Sequence, residues 1–99
     1  MEEKIKSALK AIGGRHVDVH VSRGKLTISA GFSDDEVAKS DSVVWSLEKL
    51  PRELQEDIAS VEVAIIENVG NVELELEECS THSETNLRVL TLVWQLKEI

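Results

Sequence analysis

From Val72 to Glu77 the chain alternates apolar and acidic side chains without interruption: Val72, Leu74 and Leu76 against Glu73, Glu75 and Glu77. An extended strand sends successive side chains to opposite faces and sorts these into one apolar and one charged row. On a helix of 3.6 residues per turn the same residues would be scattered around the axis. The chain must therefore build a sheet with one covered face and one face open to water.

Two more segments carry the same period. Val17, Val19 and Val21 alternate with His16, Asp18 and His20, and after Arg23-Gly24 the residues Leu26, Ile28 and Ala30 alternate with Lys25, Thr27 and Ser29. This is the pattern of a β-hairpin with one buried face. In the last segment, Leu87 to Lys97, Leu90, Leu92, Trp94 and Leu96 belong to the core, while the reverse face carries Leu87, Val89 and Val93 beside Thr91, Gln95 and Lys97. Val61 to Asn68, a Gly70-Asn71 turn, Val72 to Cys79 and Leu87 to Lys97 read together as a three-stranded meander.

The 3.6-residue period marks the helices. Ile5, Ala8, Leu9 and Ile12 form a stripe that Glu2 and Glu3 open and Gly13-Gly14 closes. Ser33-Asp34-Asp35-Glu36 has the spacing of a capping box, which predicts a second helix running toward Leu50. Val43, Leu47, Leu50, Leu54 and Ile58 continue its stripe, although Val43, Trp45 and Leu47 also alternate like a strand. Pro51 suits a first helical turn, so a short third helix is expected over 51–59. The expected fold is α+β: a single domain in the order α-β-β-α-(α)-β-β-β, with a mainly antiparallel sheet of about five strands and the helices on one face. At 99 residues the chain has material for one core. In pattern, Val19 to Ile28 followed by the Ser33 to Glu36 cap resembles the α-β-β-α-β run of the BON domain. That resemblance implies lipid binding, which the net charge of −8 opposes at an anionic membrane surface.

No motif announces catalysis. The glycines sit singly or, as Gly13-Gly14, after a helix, which is the wrong arrangement for a phosphate-cradling loop. Neither Cys79 nor any serine sits in the local context of an activated nucleophile, and Cys79 reads as an inert core thiol. His16, Asp18 and His20 share one side of a strand and could present two imidazoles and a carboxylate to a metal, but the same row is the solvated face of the hairpin. Cys79 and His82 have ligand-like spacing without completing a four-coordinate set. The expectation is a non-enzyme with no metal or cofactor. No apolar stretch approaches the roughly 20 residues of a membrane span. Met1-Glu2-Glu3-Lys4 does not open a secretory leader, and one cysteine allows no internal disulfide, so a cytoplasmic location is expected.

Charge is the remaining clue. Residues 1–32 hold six basic and three acidic residues; residues 33–99 hold five against sixteen. Between Glu53 and Glu84 stand ten carboxylates and no Lys or Arg. This balance disfavours direct nucleic-acid binding, whose affinity comes from cations neutralising phosphates. It favours a basic protein surface as partner, reached through Glu62, Glu67, Glu73, Glu75, Glu77 and Glu78. Carboxylates about 7 Å apart on alternate strand positions approach the phosphate repeat of a nucleic-acid strand. Such a protein is similar in size and charge to nucleic-acid mimics that inhibit nucleases or nucleic-acid-binding proteins: immunity proteins, antitoxins and phage anti-defence proteins, anti-CRISPRs among them. A structural alternative is a homodimer or assembly joined through Leu87, Val89 and Val93. Solubility alone is a third use of the acidic row, since charge on a sheet discourages aggregation.

Overall fold

The computed structural model describes residues 2–33, 42–84 and 87–98. Helix α1 (Glu2–Ala11) leads into β1 (Arg15–Ser22) and β2 (Lys25–Ser33); β3 (Val43–Trp45) and a 3-10 turn (Leu47–Lys49) precede helix α2 (Arg52–Val69), β4 (Val72–Glu84) and β5 (Leu87–Glu98). The strands form one antiparallel sheet in the order β1-β2-β5-β4-β3. The α+β class, a five-stranded antiparallel sheet and the placement of helices on one face are as the sequence patterns require, although one of the five strands is a different segment from the one expected.

The hairpin forms where expected because Arg23 and Gly24 both adopt positive φ, 51° and 74°, the paired left-handed conformation whose twist matches the flanking strands. Its first strand contains a bulge between Arg15 and Asp18, with His16 at φ 52°. The extra residue there increases local twist at the sheet edge. At the far end of the sheet, β4 bulges between Leu76 and Glu78.

The core lies between the inner sheet face and both helices. Ile5 and Leu9 of α1 and Leu54, Ile58, Val61 and Ile65 of α2 meet Val17, Val19, Leu26, Ile28, Ala30, Cys79, Leu90, Leu92 and Trp94. Polar ties reinforce the layers. Trp94 Nε1 donates to Glu62 Oε1 at 2.9 Å, Arg88 of β5 pairs with Asp57 of α2, and Val21 N–H donates to the Glu2 carboxylate at 3.2 Å.

Two segments differ from the sequence-based expectation. Val61 to Asn68 is the second half of the 18-residue helix α2, not a strand of a meander, and the helix opened by Pro51 continues well past residue 59 to Val69. Its β-branched run fits either period locally. What decides is that Leu54, Ile58, Val61, Ala64 and Ile65 fall on one buried stripe, whereas Val63 and Ile66 face out. Val43 to Trp45 is a strand and not a helix, because its backbone pairs with Thr81 to Cys79 and Trp45 Nε1 donates to Thr81 Oγ1 at 2.8 Å. The capping box of a helix starting at Ser33 falls mainly on residues 34–41, outside the described residues.

Candidate protein-binding face

Register and the two-residue period define the outer sheet face residue by residue. Leu26, Ile28 and Ala30 pair with Trp94, Leu92 and Leu90 on the covered side, so Thr27, Ser29 and Gly31 with Val93, Thr91 and Val89 lie on the other. Across β4, Glu73 stands opposite Lys97, Glu75 opposite Gln95, Glu78 opposite Val93, Ser80 opposite Thr91 and His82 opposite Val89. The bulge turns an additional carboxylate to this side: Glu77 Oε2 lies 3.3 Å from Lys25 Nζ.

The result is a shallow face with a graded composition. Its centre is a half-buried strip of Leu87, Val89, Thr91 and Val93 on β5 flanked by Thr27 and Ser29 on β2, the Thr91 and Ser29 hydroxyls lying 3.5 Å apart. Its β4 margin carries Glu73, Glu75, Glu77 and Glu78. Its β1 margin carries Asp18 and His20. Both helices pack on the opposite side, so among the described residues nothing covers this strip.

The six acidic residues named from the sequence therefore divide. Glu73, Glu75, Glu77 and Glu78 share the outer face, but Glu62 and Glu67 ride on α2, in the helix layer. Glu62 is occupied by the Trp94 indole, and Glu67 is exposed on the helix surface. Their separation follows from 61–69 being helical. Leu87, Val89 and Val93 do lie together, with their intervening Thr91, at the centre of the open face.

The metal candidates separate similarly. Cys79 faces the core at 0% exposure, whereas His82, three residues on, sits on the other side of the strand. His16 and Asp18 line a depression of about 230 Å³ with Ser29, Gly31, His82, Leu87 and Val89. Among the described residues no group of three or more His, Cys, Asp or Glu is placed to hold a metal ion. A larger groove, about 750 Å³, lies on the helix side between α2 and β4–β5; sequence reading did not foresee it. Glu62, Glu73 and Glu75 border it, but Glu73 and Glu75 send their side chains to the outer face, opposite Leu74.

Burial pushes the Cys79 thiol above its ordinary pKa. The folded state therefore favours the protonated thiol, and its stability falls as pH rises above the unfolded thiol's pKa. Cys79 is expected to resist a chromogenic disulfide reagent at pH 8 in native protein and to react stoichiometrically once urea unfolds the chain. Replacement by alanine should make stability less sensitive to pH above about pH 9. Rapid labelling of the native protein would show that the strand bearing Cys79 opens readily.

No helix among the described residues is long and apolar enough to cross a membrane. Comparisons with protein-family models, with curated proteins and with solved structures find no match to this chain, the BON domain included.

Proposed function

We propose that this chain is a non-catalytic protein-binding domain whose open sheet face docks on a basic protein surface, the kind that nucleases and nucleic-acid-binding proteins present. The supporting observation is the strip Leu87, Val89, Thr91 and Val93, uncovered among the described residues and bordered by the Glu73, Glu75, Glu77 and Glu78 row. An apolar centre with a charged margin is the anatomy of a protein–protein interface, in which the centre supplies affinity and the margin supplies steering and selectivity. The net charge of −8 strengthens attraction to a cationic partner and repels nucleic acid itself. Occupying a partner's phosphate-binding groove with such a row would inhibit it.

The test replaces Glu75 and Glu78 by lysine and Glu73, which stands opposite Lys97, by glutamine. Glu77 is left in place because it pairs with Lys25. The exposed carboxylates contribute little to folding, so the variant should keep its circular dichroism and melting behaviour. Wild-type protein immobilised and exposed to its host's lysate is expected to capture a basic nucleic-acid-binding protein at low salt, release it at high salt, and inhibit its activity. The triple variant is expected to capture none of it. Equal capture by both proteins would sink this reading.

The same strip supports a second reading, a homodimer joined face to face through Leu87, Val89 and Val93. Light scattering at high concentration separates the two. A monomer there leaves the strip for a foreign partner.

A further inference from the structure

Strand β4 runs from Val72 to Glu84, yet β3 pairs with only Thr81, Ser80 and Cys79 of it. Between Val72 and Glu78 the flank of β4 away from β5 has no strand partner among the described residues. Unpaired N–H and C=O groups along such an edge are a template for another extended chain. The groove between α2 and β4–β5 lies alongside, lined by Ile66, Val72, Leu74 and Leu96, with Ile66 44% exposed. On the reverse face of the same edge stand the exposed carboxylates Glu73 and Glu75.

We propose that this edge receives an extended peptide segment with alternating apolar and basic side chains, added to the sheet as a strand beside Val72 to Glu78. Main-chain pairing supplies adhesion, and the period of two assigns the side chains. Apolar ones drop beside Leu74 toward Ile66, on the groove side; Lys or Arg at the intervening positions stand beside Glu73 and Glu75. Charge selects this occupant over a second copy of the chain. Two β4 edges brought together would set one Glu row against the other, and like charges on facing strands are destabilising, whereas opposite charges are favourable. This site shares Glu73 and Glu75 with the open face but adds the strand edge and the helix-side groove, which docking on the open face does not use.

The experiment titrates the isotope-labelled full chain with acetyl-Lys-Val-Lys-Val-Lys-Val-Lys-amide and follows amide shifts and hydrogen exchange. Amides within Val72 to Glu78 are expected to gain protection, with side-chain shifts at Leu74 and Ile66. Two control peptides, N-methylated on the valines or on the lysines, block the two possible pairing registers; at least one should bind about tenfold or more weakly. The same loss is expected for Ile66→Gln, a neutral helix-forming replacement at a half-exposed position of α2, whose variant should melt close to the wild type. Unchanged affinity of both N-methylated peptides would reduce the interaction to charge attraction and overturn the proposal. Shifts confined to Leu87, Val89 and Val93 would overturn it in favour of the open face. Edge protection that appears without peptide and grows with protein concentration would overturn it in favour of self-pairing.

Discussion

Replacing Trp94 by alanine is expected to remove about 3–5 kcal/mol of folding stability, the range for deleting a large buried aromatic side chain. Trp94 lies on β5, the central strand of the sheet, at 0% exposure, and its inner-face neighbours include Leu26 and Leu76 across the adjacent strands. Truncation forfeits the buried area and leaves a cavity beneath α2 that rigid strands on both sides cannot collapse to fill. It also strips the Glu62 carboxylate of its indole donor. For a domain of this length the melting temperature should drop by at least roughly 12 °C, on the usual ~4–8 °C per kcal/mol. Trp94→Phe separates the two losses. It keeps most of the volume, and because Glu62 is half-exposed its carboxylate can turn to water, so the cost should be nearer ~1 kcal/mol. Thermal or urea unfolding of the two variants measures this, and equal costs would show that the hydrogen bond, not packing, dominates.

The second large effect belongs to a residue without a side chain. Gly14 joins α1 to β1, and its N–H donates to the Leu9 carbonyl oxygen at 2.8 Å. A Cβ there would lie 2.8 Å from that same Leu9 oxygen and 3.2 Å from Val17 Cγ2. Backbone oxygen cannot swing aside as a flexible side chain can, so the helix terminus or the strand must shift. Gly14→Val is expected to cost near the top of the ~1–3 kcal/mol typical of overpacking. Its neighbour gives the internal control. A Cβ at Gly13 meets nothing within 4 Å, but its φ of 96° disfavours any side chain. Gly13→Ala should therefore cost about 1 kcal/mol through backbone strain alone. If the two variants unfold at the same denaturant concentration, the close approach at Gly14 is not limiting.

The acidic row and the apolar strip of the candidate face were legible because both lie on strands, where the side chain two residues on must return to the same face. Glu73 and Glu75, and likewise Leu87, Val89 and Val93, needed no tertiary information to be grouped. The grouping of Glu62 and Glu67 with them failed because Val61 to Val69 is rich in β-branched residues. Local propensity there favours a strand, and only burial against Ile5, Leu9 and the sheet selects the helical stripe. The groove and the open edge of β4 had no sequence signal at all. Among the described residues the edge is open because β3 has three residues and β4 thirteen, a mismatch visible only once the two are paired, and the groove lies between α2 and β4–β5, which only the tertiary packing brings together.

By itself, then, the sequence determined the alternating strands, the Arg23-Gly24 hairpin and the sharp Gly13-Gly14 ending of α1. Each depends on interactions within a few residues: side-chain period, left-handed backbone at a turn, a helix end. Tertiary structure decided the rest: that 43–45 is a strand because Thr81 to Cys79 offers it a pairing edge, that α2 runs through to Val69, and which carboxylates share a face. Those choices compare burial between distant segments, and when local preferences nearly balance, the larger area removed from water prevails.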